Sequence, residues 1–188
     1  MDPKITEIIN KYYPPGSKAH SILLTHSLTI TELALAIARA HPELGADEET
    51  LMFSGMLHDI GILYTDAPEI GCAGHLPYVA HGYMGRALLE REGLPLIALV
   101  CERHIGVGIT IADIQNRKLN LPLREMTPKT IEEKIVCYAD KFYSKSANNI
   151  LQPKPLNKVK KSISKYGEEK WKIFEEMIAL FGIEIVYL

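Results

Sequence analysis

The feature that most limits the possible folds is a helix-like spacing of apolar side chains, which recurs along most of the chain. A helix turns once every ~3.6 residues, so side chains spaced at three or four residues share one face. Within the segment 21–41 the residues with this spacing are Leu23, His26, Ile30, Leu33 and Ile37. This segment is therefore predicted to be a helix with that face toward a core, and His26 lies on it.

Several other segments carry the residues with which helices begin and end. Asp47, followed by two glutamates, is a typical N-cap for a helix that runs to about Asp59. The other predicted helices, bounded by threonine, proline or glycine, cover residues 77–93, 94–106, 127–145 (with Thr127 as the cap) and 168–181. The longest stretch with the alternation of apolar and polar residues expected of a strand is IEIVYL at the C-terminus. The predicted fold class is all-α, a compact bundle of about six to eight helices.

Length and composition indicate a single globular unit. The chain has 188 residues, of which 47% are hydrophobic and 23% charged, as in ordinary globular domains. We expect one domain over 1–188, with a core over 18–145 and a C-terminal helical extension over 146–188.

Charge, hydropathy and cysteine content argue against several classes of function. A net charge of −2 gives no general basis for nucleic-acid binding, and no specific nucleic-acid partner is expected. Apolar runs such as LPLIALVC (94–101) are shorter than the ~20 residues of a membrane helix. The three cysteines are far apart and the N-terminus lacks the plan of a signal peptide, so we expect a reduced, cytoplasmic protein without membrane contact.

The dipeptide His58-Asp59, in MLHDIGILY (56–64), ends an apolar stretch whose pattern points inward. A charged carboxylate that is buried without a partner is very costly. Either the pair lies at the surface after all, or a positive group inside the protein accompanies Asp59.

Other segments repeat this placement of a polar residue on an inward-facing stripe. The residues concerned, from five separate helical segments, are His26, His58, Asp59, His81, His104 and Asp140. Taken singly, a histidine on an apolar face is more often a hydrogen-bonded core residue, and a buried aspartate can pair with a lysine or an arginine. A metal site is a single cause for all of them, since it binds neutral imidazoles and ionised carboxylates.

The type and number of these side chains indicate which metals would suit them. Four imidazoles and two carboxylates form a nitrogen and oxygen ligand set, which fits Mn, Fe, Co, Ni or Zn better than Cu(I). Six ligands are too many for one catalytic ion, which must keep positions open for water and substrate. Two divalent metal ions about 3.5–4 Å apart that share a carboxylate would use all of them.

The order of these residues resembles the metal-binding pattern of the HD-domain superfamily of phosphohydrolases, over residues 20 to about 145. HDIG (58–61) is the sequence that names one large branch. His81 and His104 resemble the additional ligands of the dinuclear subset, which includes HD-GYP phosphodiesterases and bacterial diadenosine tetraphosphate hydrolases. The resemblance implies that Asp59 bridges to a second ion held by His81 and His104. It implies for the first ion the ligands His26, His58, Asp59 and Asp140.

Two departures from this family pattern bear on activity. Many relatives carry a lysine directly after HDIG, where it can contact the bridging solvent or a phosphate, whereas this chain has Ile62. The chain also has no GYP motif, so cyclic-dinucleotide hydrolysis loses its main support. Whatever that lysine contributes is missing here or comes from another residue.

Charged residues near the expected ligands are the first candidates for contacting a substrate. Lys141, Arg103 and Arg86 lie on the same predicted helices as these ligands, and each could instead be a solvated surface cation. His75, in the loop before the helix of His81, is a candidate acid for the leaving group or an ordinary exposed histidine. The predicted catalytic residues are accordingly Asp59, Lys141 and His75, and the predicted substrate-binding residues are Lys141, Arg103 and Arg86.

The lysine-rich stretch 145–165 is interpreted differently. It could attract an anionic substrate, but such a run is more often a solvated face, and Pro153 and Pro155 indicate a loop. No role in the site is assigned to it.

The leading hypothesis is a metal-dependent phosphohydrolase. In it, metal-activated water cleaves a phosphoester or phosphoanhydride of a small metabolite, with a nucleotide as the expected partner. Some superfamily members hold two irons with the same ligand types, so a di-iron oxygenase is the first alternative. The second is a regulatory module that binds a nucleotide and uses metals only for structure. The oligomeric state stays open, with a homodimer as one option.

Overall fold

The computed structural model describes residues 2–145 and 150–188. Helices dominate it, which confirms the predicted all-α class. The α-helices in the described ranges are α1 (Pro3–Tyr12), α2 (Lys18–Ala40), α3 (Glu48–Leu57), α4 (His81–Arg91), α5 (Pro95–Arg103), α6 (Ile111–Asn116), α7 (Ile131–Phe142), α8 (Leu156–Ser164) and α9 (Glu168–Phe181). Two short strands, β1 (Asp66–Ala67) and β2 (Cys72–Ala73), pair antiparallel with Ala67 opposite Cys72.

Helix α3 begins as the sequence predicts. The carboxylate of Asp47 accepts a hydrogen bond from the backbone N–H of Thr50 at 2.7 Å, which satisfies one of the free donors of the first turn. The helix ends at Leu57, so His58 and Asp59 directly follow its last turn. A 3-10 turn over residues 60–64 then leads the chain toward β1.

Helix α7 begins later than the helix predicted over 127–145. Its cap is Thr130 and not Thr127, because the Thr130 hydroxyl accepts a hydrogen bond from the backbone N–H three residues further on. Upstream of it, Met126 exchanges two backbone hydrogen bonds with Ile109, which keeps this part of the chain extended.

Three further segments differ from the sequence-based prediction. The lysine-rich stretch contains helix α8, although its prolines indicated a loop. Pro155 directly precedes the first turn, where the missing N–H of a proline removes no helical hydrogen bond. IEIVYL contains a 3-10 turn (Glu184–Tyr187) where the alternation suggested a strand. The two strands in the described part of the chain pair with each other and not with this segment. Helices α1 and α6 are not among the predicted elements. The predicted domain boundary at residue 146 lies outside the described residues.

Two hydrophobic clusters meet at the middle of α2. One joins α2 and α7 to α8 and α9, and it includes the stacked rings of Tyr138 and Phe174, with centroids 5.2 Å apart. The other joins α2 to α1, α3, α4 and α5. Leu23 belongs to the second cluster and Ile30 to the first. His26 therefore lies where the two clusters adjoin.

Among the described residues, α2 is also the one helix that is long and apolar enough to cross a membrane, judged by length and composition alone. The sequence-based expectation, which rested on shorter apolar runs, did not anticipate this. More than half of its most apolar stretch is buried inside the protein. Leu23, Ile30 and Ile37 have no exposed surface, so the fold uses α2 as a core helix.

Candidate metal centre

The six side chains predicted to bind metal lie together in the interior of the protein. Two are inside helices, His26 in the middle of α2 and Asp140 in the last turn of α7. The other four lie at helix ends: His58 and Asp59 after α3, His81 at the start of α4, and His104 after α5. The four histidines and Asp59 are buried, with at most 4% of any of them exposed.

Their ligand atoms form two groups that share one residue. Within each group the atoms lie within 4.8 Å of one another. The first group consists of His26, His58, Asp59 and Asp140, and the second of Asp59, His81 and His104. This division is the same as that of the two ion sites implied by the family resemblance.

Three of the imidazoles are anchored in the same way. In each, Nδ1 lies at hydrogen-bond distance from the backbone oxygen three residues earlier, at 2.8 Å for His58, 2.6 Å for His81 and 2.7 Å for His104. A carbonyl oxygen can only accept, so Nδ1 carries the proton in each ring. A neutral ring in this tautomer presents its Nε2 lone pair to the centre of the cluster, as metal-binding histidines do.

The carboxylate of Asp59 lies between the two groups. Its Oδ2 atom is 3.0 Å from His58 Nε2 and 3.3 Å from His26 Nε2. Its Oδ1 atom is 3.3 Å from His81 Nε2 and 3.5 Å from His104 Nε2. With one oxygen directed to each group, the carboxylate has the arrangement of a bridging ligand.

Several buried atoms of the cluster lack the partner that a cation would supply. His81 Nε2 and His104 Nε2 are 3.2 Å apart although both rings donate from Nδ1, so in the neutral rings two lone pairs face each other. In the described part of the chain, His58 Nε2 and Asp59 Oδ1 are buried without a hydrogen bond of normal geometry, whereas Asp59 Oδ2 has the ammonium of Lys145 at 2.6 Å. Metal ions compensate buried groups of these types. The residues present therefore fit a metal centre.

Charges within the cluster determine the protonation of its members. Burial opposes the ionisation of Asp59 and Asp140, but neighbouring cationic groups hold the pKa of both carboxyls well below the usual range. Burial also opposes the charge of His58, yet these carboxylates raise its pKa to about 9. Burial lowers the pKa of His104 to about 4. At pH 7 without metal, His58 is therefore protonated and His104 is neutral.

The glycine of HDIG determines how closely α4 approaches this cluster. A β-carbon added to Gly61 would lie 2.1 Å from the backbone oxygen of His81 and 2.5 Å from the backbone nitrogen of Gly85. Such distances are far inside van der Waals contact. Only glycine permits two backbones to approach so closely, and this approach places His81 beside Asp59.

The second group borders a cavity of about 680 Å³. Its wall contains His81, His104 and Asp140, and most of the remaining lining is apolar. This volume is in the range of sites that hold small-molecule ligands. The cluster is therefore placed where a bound metabolite could reach it.

Among the charged residues predicted to contact substrate, Lys141 lies in the cavity wall. Its ammonium is 2.6 Å from Asp140 Oδ2 and donates to the backbone oxygen of His104 at 3.2 Å. Burial opposes its charge, but Asp140 raises the pKa of Lys141 above its ordinary value. Lys141 is accordingly a charged lysine held beside the cluster.

The structure does not bring the other three predicted residues to the cluster. Arg103 donates to Glu133 and Arg86 to Glu102, both at 2.6 Å, and neither arginine lies in the cavity wall. Each guanidinium compensates a buried glutamate, a role that adjacency in sequence could not reveal. His75 is exposed on the loop between β2 and α4 and is also absent from the cavity wall.

Two lysines of the lysine-rich stretch, Lys145 and Lys154, lie in the cavity wall instead; Lys170, which also lines it, is paired with Asp113. The ammonium of Lys145 is 2.6 Å from Asp59 Oδ2. Lys145 and Lys154 lie between α7 and α8, where helical periodicity gives no information about side-chain direction. The clustering of lysines in this stretch was the only sequence signal for them.

Comparison with known proteins identifies the domain. The family model described as "HD domain" matches residues 23–144. The crystal structure of the HD domain of the L. monocytogenes phosphodiesterase PgpH is similar in fold, with a TM-score of 0.53 and 16% identity, and the match covers 100% of this chain and 93% of that one. An uncharacterized protein of Methanocaldococcus jannaschii is 36% identical over 121 residues, which make up 63% of this chain and 64% of that protein.

Two further relatives carry the name tRNA (cytidine(56)-2'-O)-methyltransferase. The one from Thermoplasma volcanium is 30% identical over 165 residues, or 87% of this chain and 44% of the relative. The one from Picrophilus torridus is 31% identical over 130 residues, or 69% of this chain and 33% of the relative. The matches thus span less than half the length of these two proteins.

The range matched by the family model contains every residue of both ligand groups. It also covers more than half of the chain, and the fold is that of a solved HD domain. The chain belongs to the HD domain family.

Proposed function

We propose that this protein is a metal-dependent phosphohydrolase that acts on a small phosphorylated metabolite, with a nucleotide as the first candidate. The observation that carries the proposal is the pair of ligand groups that share Asp59 and border a cavity of ligand size. Membership of the HD domain family and the name of the similar solved structure, a phosphodiesterase, agree with hydrolysis at phosphorus.

In this proposal each ligand group would hold one divalent ion. The nitrogen and oxygen ligands suit iron, manganese, cobalt, nickel or zinc. Ions bound in such a site lower the pKa of a coordinated water and offset negative charge on a phosphoryl group.

The side chains of the protein would hold the reacting groups in place. The carbonyl-anchored rings of His58, His81 and His104 have fixed orientations, so their Nε2 atoms need not be ordered when a ligand arrives. Lys141, held by Asp140, would offset charge that develops on phosphoryl oxygens. The largely apolar cavity wall would exclude water from the organic part of the substrate.

Phosphate release is the direct test. The protein is stripped of metal, reloaded separately with each candidate metal, and incubated with a panel of nucleotides and other phosphate esters. We expect turnover with at least one metal, and a loss of more than ~100-fold in Asp59→Asn, since even outer-shell partners of metal ligands contribute that much. Asp66→Asn, which changes an exposed carboxylate, should retain activity. No phosphate release from any substrate with any metal would contradict the proposal.

The same panel separates the alternatives that share this ligand set. Substrate-dependent oxygen uptake by the iron-loaded protein, without phosphate release, would favour an oxygenase. Saturable nucleotide binding without any turnover would favour a regulatory module.

The names of two relatives raise a second candidate, methylation of tRNA. The matches span 44% and 33% of those proteins, so the named activity can belong to the part that this chain does not match. Transfer of a labelled methyl group to tRNA by this protein would support the second candidate. Phosphate release without methyl transfer would support the first.

A further inference from the structure

Three lysine side chains lie in the part of the cavity wall next to the six candidate metal ligands. Lys141, Lys145 and Lys154 all lie in its wall, as does Asp140. A backbone hydrogen bond from Lys154 N–H to the carbonyl oxygen of Phe142 (2.6 Å) ties the segment before α8 to the end of α7. Regions on both sides of the connection between these helices therefore contribute to one cationic surface.

The nearby carboxylates do not neutralise all three lysines. Lys141 is paired with Asp140 and Lys145 with Asp59, each at 2.6 Å. In residues 2–145 and 150–188, no carboxylate lies within ion-pair distance of Lys154. Asp59 and Asp140 are also the proposed metal ligands, so bound cations would draw these carboxylates away from the lysines.

The state of Lys154 agrees with this excess of positive charge. Burial lowers its pKa to about 8; Asp140 opposes this shift, and the ammonium groups of Lys141 and Lys145 add to it. An anion bound among the three lysines would favour the charged form of Lys154 and compensate its neighbours. A small ligand that brings negative charge is therefore the expected occupant.

We propose that Lys145 and Lys154, together with Lys141, form a subsite for a second phosphoryl group, adjacent to the one that is hydrolysed. The proposal rests on the proposed function and narrows its substrate class to organic di- or triphosphates. Ile62, directly after HDIG, is apolar and fully buried, so it brings no charge to this subsite. The ammonium group beside Asp59 comes from Lys145 instead.

Charge favours a polyphosphate over a monoester at this position. A phosphate monoester carries a charge of about −1.5 to −2 at neutral pH. Two divalent ions in the cluster would use that charge, and the lysines would remain without a counter-ion. A second phosphoryl group supplies further negative charge and oxygen acceptors, which match ammonium donors.

The rest of the cavity has room for the organic part of such a molecule. Its volume, about 680 Å³, is larger than inorganic phosphates need, and apolar side chains such as Ile105, Val107 and Ile109 line it. The wall also contains Arg117 and Tyr166, whose guanidinium carbon and ring centroid are 4.4 Å apart. A nucleoside-sized group attached to the phosphates would be accommodated beside these residues.

Binding of inorganic pyrophosphate tests the subsite independently of catalysis. Calorimetric titrations of the metal-loaded full chain compare pyrophosphate with inorganic phosphate, and the metal content is measured after each titration because pyrophosphate can chelate metals. We expect pyrophosphate to bind at least ~10-fold more tightly than phosphate, since each charge-assisted hydrogen bond contributes about that factor. Lys145→Met and Lys154→Met should each remove ~10-fold of the pyrophosphate affinity, with a smaller effect on phosphate.

Lys158→Met is the matched control, because Lys158 is an exposed lysine of α8 outside the cavity wall. Lys154→Met is the decisive variant, because Lys154 pairs with no proposed metal ligand. The metal content of this variant should therefore equal that of the parent protein. Circular dichroism and thermal unfolding establish that each variant is folded.

The possible outcomes separate this inference from the proposed function. Lysine-dependent pyrophosphate binding in a protein that hydrolyses nothing would support the subsite and contradict the proposed function. Equal affinity for phosphate and pyrophosphate would overturn the subsite, even in a protein that hydrolyses monoesters. Pyrophosphate affinity in Lys154→Met equal to that in Lys158→Met would overturn it as well.

Discussion

The two ligand groups that meet at Asp59 differ in charge and in access. The first contains two carboxylates and is contacted by two ammonium groups, and its histidines, His26 and His58, do not line the cavity. The second contains one carboxylate and two histidines, His81 and His104, that do. The first group therefore offers more carboxylate ligands to a cation, and the second has the better access for a substrate, although Asp140 of the first group also lies in the cavity wall.

This difference predicts a division of labour between the two proposed ions. A site with more carboxylates and less solvent access should bind a divalent ion more tightly and release it more slowly. A site at the cavity wall should exchange its ion more readily and contact the substrate. Substitutions of the ligands, a substitution in the packing around them and changes of pH can each test whether the two groups behave differently.

The largest effect is expected from Asp59→Asn, because this carboxylate belongs to both groups. The amide keeps the size of the side chain and removes its charge, so both ions should be lost, with affinities lowered more than ~100-fold. Metal content after dialysis, measured by mass spectrometry, gives the result. Asp66→Asn serves as the control. Retention of two ions in Asp59→Asn would exclude a bridging role.

Single-histidine variants should separate the groups. His26→Ala is expected to lose the first ion and keep the second, whereas His104→Ala should do the reverse, each binding about one ion per chain where the parent binds two. The measurement is the metal-to-protein ratio across a range of free metal concentrations. His75→Ala, which removes an exposed imidazole, should leave the ratio unchanged. Loss of both ions in either variant would mean that the groups are not independent.

Gly61→Ala should weaken the second group more than the first. The added methyl would lie 2.1 Å from the backbone oxygen of His81, so α4 must shift away from Asp59. Overpacking of this kind costs roughly 1–3 kcal/mol of folding stability. We expect a lower unfolding midpoint and a drop of about 10-fold or more in affinity at the second group, comparable to disturbing an outer-shell partner.

Gly45→Ala is the matched control for this variant. The backbone of Gly45 favours glycine, with φ of +62°, whereas Gly61 is constrained by the close approach of another backbone; open space surrounds the β-carbon position of Gly45. It should show only the strain of a left-handed residue, about 1–2 kcal/mol, with normal metal binding. Equal metal affinities in both variants would argue against Gly61 as the residue that positions His81.

The pH dependence of metal binding should differ between the two groups. His58 has a pKa of about 9 in the metal-free protein and must lose its proton to bind an ion. Affinity at the first group should therefore rise about tenfold per pH unit up to pH ~9 and level off above it. His104, with a pKa of about 4, is already neutral and adds no such dependence.

Calorimetry in buffers of different ionisation enthalpy measures this release of protons directly. His104→Ala reports the first group and His26→Ala the second. An affinity of the first group that is independent of pH between about 6 and 9 would contradict the protonated state of His58.

The sequence predicts residues well where they lie on regular elements. His26 and Asp140 are identified by helical spacing, and His58 by its place at the end of an apolar stretch. Lys145 and Lys154 are not identified as site residues, because α7 ends at Phe142, before the predicted helix end at 145, and between α7 and α8 no period relates sequence to side-chain direction. Sequence neighbours are equally uninformative about partners: Arg103 and Arg86 adjoin the expected site along the chain, but buried glutamates take both guanidinium groups.

The sequence by itself determined the helical class, the kinds of ligand atoms and their order along the chain, because these depend on local spacing and on the chemistry of each side chain. Only the tertiary structure decided that Lys145 and Lys154 face the cavity, and it supplied the distances that place Asp59 between the two groups, an arrangement which the family resemblance implied. Coulombic and metal-ligand interactions depend on distances in space. Those distances follow from the packing of remote segments, such as the contact of Gly61 with the backbone of α4, which no local pattern encodes.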